Sequence, residues 1–381
     1  MEWKEVLLSE FLEFNPKRTI KKNEVARKIT MDLLIPHSKQ IYSFKYEPYT
    51  GGAKFSNGDT IMARITPCLE NGKHAYVSCL NEGEIAYGST EYIVLCGKNG
   101  VSDNEFVYYL SHTPQFVNTA IKSMVGSSGR QRAQVPVLEN LIMSVPVNLS
   151  DQRKIAGILS ALDAKIENNN KINANLEAQA QALFKSWFVD FTPFKDQPFV
   201  DSELGPIPQG WKVGKLGDIC TFKRGKNLLS KNAIDEGVPV VAGGLSPSCY
   251  HNQANTSAPV VTVSGSGANA GFMRMYHVDV WASDCSFIDV SCDYLYFVYC
   301  FLSVNRRLLK HAQTGAVQPH VKPADIHDFD VVIPEEDIVK AFQSIIKELL
   351  TKVGVNEKEN QRLAALRDTL LPKLMSGEIK L

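Results

Sequence analysis

The sequence predicts a fold of two similar mixed α/β domains separated by two long antiparallel coiled-coil helices, with an internal pseudo-twofold repeat. Three observations support it. The length of 381 residues is more than one core usually holds, the chain repeats itself, and two segments carry a sustained heptad pattern. We place the domains at 1–149 and 207–333, the helices at 150–190 and 334–381, and a linker at 191–206.

The composition is that of a globular protein, with 44% hydrophobic and 22% charged residues. Neither a membrane-spanning run nor a signal peptide can be recognised, so we expect a cytoplasmic protein with no membrane partner. The eight cysteines form no C-x-x-C pair, so we expect reduced thiols and no metal site. Lys+Arg and Asp+Glu both count 41. A DNA-binding protein usually carries a basic excess, so a DNA-binding role for this chain would require either that its basic residues cluster on one face or that a partner supplies part of the attraction to DNA.

The two halves of the chain share anchor residues in the same order. At a shift of 208 residues, the matching residues are Trp3, Lys4, Leu8 and Phe14 in the first half and Trp211, Lys212, Leu216 and Phe222 in the second. At a shift of 188, Tyr108 meets Tyr296 and Pro146 meets Pro334. Between these anchors, Ser89 resembles Ser283. The order of the anchors indicates a duplication, and the changing shift indicates loop insertions.

A heptad seam is the most informative part of the repeat, because apolar residues and two asparagines recur at alternating steps of four and three. The residues predicted to pair the helices are Leu159, Leu162, Ile166, Asn169, Asn173 and Leu176 in the first helix, and Ile346, Leu349, Val353, Asn356, Asn360 and Leu363 in the second. The first seam runs from Ile155 to Trp187, about 50 Å of helix. Gly354 lies within the second helix, where it costs about 1 kcal/mol and can bend the helix.

The direction of pairing is not fixed by the seam alone. Antiparallel helices align Asn169 with Asn360 and Asn173 with Asn356. Parallel helices also match asparagine with asparagine, so the polar layers define the register but not the direction. We choose the antiparallel arrangement because it places the two domains at opposite ends. The alternative for the asparagines is that they are solvated surface residues.

Within the domains, short apolar runs alternate with turns and with longer helical patterns. We expect strands at 77–83, 92–96, 238–244, 258–265 and 329–334, and helices at 106–124 and 294–312. The segment 191–210 is rich in proline and reads as an extended linker. The glycines at 264–271 miss the G-x-G-x-x-G spacing by one place, which favours a tight loop over a nucleotide site.

The sequence contains no recognisable catalytic centre. The base-flipping motif [D/N]-P-P-[F/Y] is absent, because the nearest string, at Asp190–Phe194, lacks the proline pair. No Walker loop is present. His251, His311 and His320 are isolated and more typical of hydrogen-bonding residues than of general bases. We therefore predict no catalytic and no metal-binding residues.

Basic and polar side chains group on predicted loops at matching places in both halves. Arginine can read guanine, and glutamine or asparagine can read adenine, whereas lysine more often holds phosphate. The candidate DNA-contacting residues are Lys17, Arg18, Arg64, Lys73, Ser127, Arg130, Gln131 and Arg132 in the first half, and Arg224, Lys226, Asn227, Asn269, Arg274, Gln318, His320 and Lys322 in the second. For each residue alone, the alternative is a solvated surface position.

The whole layout resembles the specificity subunit of Type I restriction–modification enzymes. The opening WKEVLLSEF, its echo WKVGKLGDI and the string ELGPIPQGWK carry part of the resemblance. The helical segments DQRKIAGILSALDAKIENNNKINANLEAQAQALFKSWFVDF and RLAALRDTLLPKLMSGEIKL are more specific. The resemblance covers essentially the whole chain.

The resemblance implies a non-catalytic subunit in which each half is a target recognition domain for one part of a split site in double-stranded DNA. It implies that the coil sets the distance between the parts, that two modification (methyltransferase) subunits bind, and that two motor/nuclease subunits complete the restriction enzyme. S-adenosylmethionine is then held by the methyltransferase subunits, and this chain binds no cofactor. The alternatives are a paired-domain adaptor that binds another protein through the coil without a DNA role, and an enzyme with an unrecognised active site.

Overall fold

The computed structural model describes residues 1–314, 319–379 and 381. The chain divides into two compact units, Met1–Asn168 with Glu359–Leu381, and Asn169–Lys358. Each unit contains one α/β domain, called head 1 (residues 1–148) and head 2 (residues 207–335), together with part of each of two long helices. Among the described residues, no helix combines the length and apolar character needed to cross a bilayer.

Head 1 is built from two sheets and a strand pair, with short helices packed against them. Its strands are β1 (Trp3–Leu7), β2 (Leu12–Phe14), β3 (Val25–Ile29), β4 (Lys45–Pro48), β5 (Lys54–Ser56), β6 (Thr60–Ala63), β7 (His74–Tyr76), β8 (Ile85–Gly88), β9 (Tyr92–Gly97) and β10 (Ile142–Pro146). Its helices are α1 (Leu8–Phe11), α2 (Asn104–Leu110), α3 (Pro114–Lys122) and α4 (Val135–Glu139), with a 3-10 turn at Met31–Leu33. The sheet orders are β2-β9-β6-β7 and β4-β3-β8-β5, and β1 pairs with β10.

The helix predicted over 106–124 is two helices with a break before Pro114. Asp103 caps α2 by accepting hydrogen bonds from the backbone N–H groups of Glu105 and Phe106. Thr113 caps α3, and Pro114 occupies its first turn. A single helix could not continue there, because proline has no N–H and disfavours a helical conformation in the residue before it.

The first long helix, α5, runs over 40 residues from Leu149 to Phe188. It is followed by a 3-10 turn at Thr192–Phe194 and by a ribbon of two strands, β11 (Phe199–Val200) and β12 (Ile207–Pro208). Phe194 and Ile207 are buried in the core of the second unit. The proline-rich segment between the halves is therefore packed structure as well as a connection.

Head 2 repeats the arrangement of head 1. Its strands are β13 (Lys212–Lys215), β14 (Lys223–Arg224), β15 (Val238–Val241), β16 (Cys249–His251), β17 (Val260–Ser264), β18 (Met273–Tyr276), β19 (Trp281–Ala282), β20 (Cys285–Ile288) and β21 (Asp330–Ile333). Its helices are α6 (Leu216–Ile219), α7 (Leu295–Val304), α8 (Arg306–His311) and α9 (Pro323–His327), with 3-10 turns at Ser230–Asn232 and Gly267–Asn269. The sheet orders are β14-β20-β17-β18 and β16-β15-β19, and β13 pairs with β21.

The sheet topology confirms the predicted duplication. The order β2-β9-β6-β7 in head 1 corresponds strand for strand to β14-β20-β17-β18 in head 2. Each head also has one parallel pair in its second sheet, β3 with β8 and β15 with β19. Tyr92 pairs with Ala63, and Cys285 pairs with Ser264. This register matches Ser283 with Thr90, one place away from the predicted match with Ser89.

The recurring tryptophan has the same role in each unit. In the first unit, a side chain at Gly377, just after the second long helix, would overlap the Trp3 ring. In the second unit, the Trp211 ring lies 5.8 Å from that of Phe188 at the end of α5. Each head therefore fixes its opening strand against the end of a long helix, which explains why this tryptophan recurs.

Most of the predicted strands are present. The runs at 92–96, 238–244, 258–265 and 329–334 contain β9, β15, β17 and β21. The strand predicted at 77–83 is wrong, because the chain turns there through Asn81 and through Gly83 at φ +71°. The glycine run at 264–271 is the predicted loop, and it joins β17 to β18.

The second long helix, α10, runs over 40 residues from Glu336 to Met375. In the first unit, NH1 of Arg367 near its end donates to Oδ1 of Asp163 near the start of α5, at 2.6 Å. In the second unit, the Phe342 ring near its start lies 5.9 Å from the Phe184 ring near the end of α5. The two helices therefore pair antiparallel, as predicted.

The predicted seam faces inward. Leu159, Asn169, Ile346, Val353 and Asn356 are buried. The half-buried seam residues are Leu162, Ile166, Asn173, Leu176, Leu349, Asn360 and Leu363. In one turn of α10 the buried residue is Leu350 rather than the predicted Leu349. Leu349 is partly buried and packs against the same hydrophobic core as Leu350. The seam pattern therefore locates the contact face to within one residue.

Gly354 does not interrupt α10, which is continuous from Glu336 to Met375. A Cβ atom at position 354 would lie 2.6 Å from Cβ of His277 in head 2. The glycine therefore provides space for the His277 side chain against the helix backbone. Its helix-propensity cost is explained by this close approach rather than by a bend.

Candidate nucleic-acid interface

Head 1 has a cleft of about 650 Å³ where the turn after β2 approaches the end of β6. Lys17, Arg18 and Arg64, three of the predicted DNA-contacting residues, line it together with Lys54. Since they come from separate segments, the fold brings together cations that are far apart in the sequence. Such a grouping is suited to a polyanion such as the DNA backbone.

Glu91 organises the arginines beside this cleft. The Arg132 guanidinium donates to both Glu91 oxygens, from Nε at 3.0 Å to each and from NH2 at 2.7 Å to Oε1. Nε of Arg64 lies 3.9 Å from Oε2 of the same carboxylate. The hydrogen bonds and charge of Glu91 raise the pKa of Arg132. A bidentate carboxylate pair fixes the plane of a guanidinium, so the orientation of Arg132 is set before any ligand arrives.

The loop that carries Arg132 is closed by reciprocal backbone hydrogen bonds between Val125 and Arg132, at 3.1 and 3.0 Å. Ser127, Arg130 and Gln131 lie on this loop and are exposed. Among the described residues, no acceptor lies within hydrogen-bond distance of the Arg130 guanidinium. The predicted loop residues thus form an accessible polar surface beside the cleft.

Two predicted residues of head 1 make contacts inside the head. NH2 of Arg18 binds both oxygens of Asp59, at 2.5 and 2.6 Å, and Asp59 is fully buried. Burial raises the pKa of Asp59, and the Arg18 charge acts in the opposite direction. Nζ of Lys73 donates to the carbonyl of Met31 at 2.8 Å. These contacts give Arg18 and Lys73 structural roles within head 1.

In head 2 the corresponding acid is Asp284. It accepts hydrogen bonds from NH2 of Arg224 and from the Ser266 hydroxyl. Lys226 and Asn227 follow β14 and are exposed. Nδ2 of Asn269 donates to the carbonyl of Gly243 at 3.3 Å, which holds the glycine loop close to the neighbouring segment.

The remaining predicted residues of head 2 differ in position. His320 is half-buried next to Ser266, to which its backbone is bridged, and Lys322 is exposed. Arg274 lies on β18, and its NH2 group is 3.4 Å from Glu357 of α10, so it faces the long helix. Gln318 lies outside the described residues. Ser266, with His320 bridged to it, and Arg224 of β14 therefore lie around Asp284. Arg274 instead faces α10.

The loop at 125–133 of head 1 and the described segment 319–321 of head 2 occupy equivalent places. In each head, two backbone hydrogen bonds attach the loop to the end of a central strand. They are Thr66 N to Gln131 O (3.0 Å) and Ala133 N to Arg64 O (2.8 Å) in head 1, and Gly267 N to Pro319 O (3.1 Å) and Val321 N to Gly265 O (3.1 Å) in head 2. His320 therefore takes the place of Arg132, and Gly265 that of Arg64.

Glu91 and Asp284 are not among the residues predicted from the sequence, because base and phosphate contacts are expected from cations and amides rather than from the acids that hold them. Each acid stands directly before an apolar strand, and each strand belonged to the aligned anchors. With the register corrected by one place, the two acids would have matched. Among the described residues, no cluster of His, Cys, Asp and Glu side chains is arranged to hold a metal ion.

Comparison with known proteins places this architecture in a family. The Type I restriction modification DNA specificity domain matches residues 1–178 and 208–367, which is most of the chain. The Type I restriction enzyme MjaIX specificity subunit of Methanocaldococcus jannaschii is 31% identical over 307 residues, covering 74% of this chain and 70% of that protein. The Type I restriction enzyme HindI specificity subunit of Haemophilus influenzae is 24% identical over 429 residues, covering 89% and 90%.

A solved structure shares the fold. The crystal structure of the S subunit of a Type I restriction–modification system from M. genitalium aligns with a TM-score of 0.55 at 18% identity, covering 98% of this chain and 96% of that one. The family match falls in two segments, one in each half, in agreement with the duplicated topology. This chain therefore belongs to the Type I restriction–modification DNA specificity family.

Proposed function

We propose that this chain is the specificity subunit of a Type I restriction–modification enzyme and that each head reads one half of a bipartite double-stranded DNA target. One observation carries the proposal: both heads present a basic loop surface around an acid at the same topological position, Glu91 and Asp284. A duplicated reader of this kind suits a target with two separate parts. The names of the relatives, which are specificity subunits of Type I restriction enzymes, support the same function.

The charge distribution supports DNA as the ligand despite a net charge of zero. Exposed cations and amides are present on the loop surfaces, where Arg130, Gln131 and Lys226 are accessible. Phosphate contacts supply affinity, and contacts to base edges supply sequence preference. Neutrality of the whole chain implies that partner subunits contribute part of the attraction to DNA.

The paired helices suit the role of a spacer. Each is 40 residues long, about 60 Å of helix. One turn of DNA is about 34–36 Å, so helices of this length are suited to half-sites more than one turn apart. Buried polar pairing within the coil favours a single register, and a single register would define a single spacer length.

The chemistry of the complex belongs, in this proposal, to other subunits. Two modification subunits bind the chain and hold S-adenosylmethionine as the methyl donor, and two motor/nuclease subunits complete the restriction enzyme. The absence of a base-flipping motif from the sequence supports this division of labour. The chain itself then contributes recognition and positioning, without a catalytic group.

The proposal is tested by co-expressing the chain with its methyltransferase subunit and sequencing the genomic DNA by a single-molecule method that detects methylated adenine. We expect methylation at a two-part motif with a spacer of constant length. Replacing residues 1–149 with the corresponding domain of another family member should change only one part of the motif. Absence of any motif, with the complex intact, would support the protein-binding adaptor instead.

A further inference from the structure

We propose that Arg132 in head 1 and Arg224 in head 2 each read a guanine, and that Glu91 and Asp284 are the positioning residues that orient them. The inference rests on the proposed function and deepens it, since it predicts a base in each half-site and the side chain that reads it. The two arginines come from non-equivalent segments, a loop in head 1 and β14 in head 2. They converge on acids that are equivalent.

The equivalence of the two acids follows from the sheet register. Glu91 directly precedes β9, whose first residue pairs with the last residue of β6. Asp284 directly precedes β20, whose first residue pairs with the last residue of β17. The two carboxylates therefore stand at equivalent corners of the two corresponding sheets.

Arg132 presents an open fork. A guanidinium has five N–H groups in fixed directions. Glu91 takes the Nε proton and one NH2 proton, and the carbonyl of Arg130 takes one NH1 proton at 3.0 Å. One N–H group remains on each terminal nitrogen, and the side chain is 38% exposed. Two parallel N–H donors match O6 and N7 of guanine, and this pair gives roughly 5- to 150-fold discrimination against other bases.

In head 2 the place of Arg132 belongs to His320, and the cation that binds the acid comes from β14 instead. A side chain at Gly265 would overlap the Arg224 guanidinium. In head 1 the equivalent position carries Arg64. Because head 2 has a glycine at this position, there is space for the Arg224 side chain. The two heads therefore hold a cation at equivalent acids, but the cation comes from a different segment in each head.

Arg224 is also open to a ligand. Its side chain is 46% exposed, and its NH2 group is bound to Asp284. Within the described part of the chain, its Nε and NH1 groups have no acceptor. Asp284 is itself held by the Ser266 hydroxyl, which restricts the direction of the carboxylate. The acid therefore orients one end of the guanidinium and leaves donors for a base edge.

The other arginines of head 1 are less suited to reading a base. The NH2 group of Arg18 donates hydrogen bonds to buried Asp59. Nε of Arg64 is buried without a hydrogen-bond partner and lies 3.9 Å from Glu91. Arg130 is exposed but is not oriented by an acid. It is therefore suited to a phosphate, which needs charge more than a fixed direction.

The test uses the complex of the full chain with its methyltransferase subunit, and it compares the methylated motifs of variants. Arg132→Ala should weaken the preference for one guanine in one half-site. Arg224→Ala should weaken the preference for one guanine in the other half-site. Arg132→Lys should fail to restore the guanine, because an ammonium has charge but no fork. Glu91→Gln should weaken preference at the same base as Arg132→Ala, and the double variant should resemble Arg132→Ala alone.

The matched control is Arg130→Ala, which removes an exposed arginine from the same loop. It should lower the overall extent of methylation, and the base preference at every position of the motif should stay unchanged. The half-site read by the unmodified head is an internal control for folding in every variant. An unchanged preference for every guanine in Arg132→Ala, or a half-site motif without guanine, would overturn the inference.

For variants that no longer support methylation, the affinity of the complex for DNA is measured instead. The wild-type complex is titrated with target duplexes in which 7-deazaguanine, which lacks the N7 acceptor, replaces one guanine at a time. Affinity should fall at one guanine per half-site, and the effect should vanish at the matching base in the Arg132 or Arg224 variant. If the wild-type complex methylates a two-part motif but no guanine behaves in this way, the inference fails and the proposed function stands. If no two-part motif is methylated at all, the proposed function fails.

Discussion

Nδ2 of Asn356 donates a hydrogen bond of 2.8 Å to Oδ1 of Asn173, which joins the two long helices within the second unit. Asn356 is buried, and Asn173 is half-buried. A polar pair inside an apolar seam has a partner only in one register, so a shifted alignment would leave both amides without their hydrogen bond.

The first prediction concerns this pair. Asn356→Ala should destabilise the protein by about 1–3 kcal/mol, because it leaves the Asn173 amide without its partner. The double variant Asn173→Leu/Asn356→Leu should be more stable than either single leucine variant, since it removes both amides together. Urea denaturation measures these differences. Asn168→Ala, at an exposed position, is the control and should change stability by less than about 0.5 kcal/mol. A stable Asn356→Ala variant would argue against the register role.

The second prediction concerns the ion pair between Asp163 and Arg367 in the first unit. Asp163 is buried and accepts from Arg367 NH1 and from the Tyr109 hydroxyl, each at 2.6 Å. Arg367→Met should cost about 3–5 kcal/mol, because it leaves a buried carboxylate without its cation. Adding Asp163→Asn to that variant should recover part of the loss. Both effects are measured by urea denaturation, and a double variant no better than the single one would contradict the assignment.

The sequence predicted the seam well because its period is a property of the helix itself. The register that aligns Asn173 with Asn356 follows from residue spacing once the helices are taken as antiparallel, a direction chosen because it places the two domains at opposite ends. The ion pairs of Glu91 and Asp284 could not be predicted in this way, because they join segments distant in the sequence, such as those of Glu91 and Arg132. Gly354 shows the same limit. Its helix-propensity cost could be read from the sequence, but the His277 side chain that explains it lies 77 residues earlier in the chain.

The third prediction follows from that contact. In an unhindered helix, Gly354→Ala would stabilise by about 1 kcal/mol. Here the new methyl group would lie 2.6 Å from Cβ of His277, so we expect net destabilisation. Replacing His277 with glycine in the same chain removes the overlap, and the helix-propensity gain should then appear. Thermal unfolding of the single and double variants measures the reversal of sign, and an alanine at 354 that stabilises by itself would contradict it.

The fourth prediction concerns acid stability. Burial lowers the pKa of His112 to about 4, although its hydrogen bond to the Tyr108 carbonyl acts in the opposite direction. The folded-state pKa lies below the unfolded value of about 6.5, so unfolding takes up a proton between these values and stability falls as the pH falls through this window. At pH 5 this one group should cost about 2 kcal/mol relative to pH 7.

The measurement is urea denaturation at pH 7 and pH 5. His112→Phe should show a smaller loss of stability between the two pH values than the wild type, whatever its stability at pH 7. His311→Phe, at an exposed position, is the matched control. An equal pH dependence of wild type and His112→Phe would show that the histidine does not titrate differently in the folded state.

The last prediction joins the coil to the proposed function. Removing residues 166–172 and 357–363 deletes one heptad from each helix at facing positions and keeps the pair formed by Asn173 and Asn356. The helices should shorten by about 10 Å, which corresponds to about three base pairs of DNA. We expect the two parts of the methylated motif to keep their sequences while the unspecified spacer shortens. Activity should fall as well, because three base pairs also rotate one half-site by about a quarter of a turn relative to the other, and the DNA must twist to compensate. Deleting only residues 166–172 is the control, since it mismatches the seam and should abolish methylation. A motif with an unchanged spacer in the double deletion would mean that the coil does not measure the distance.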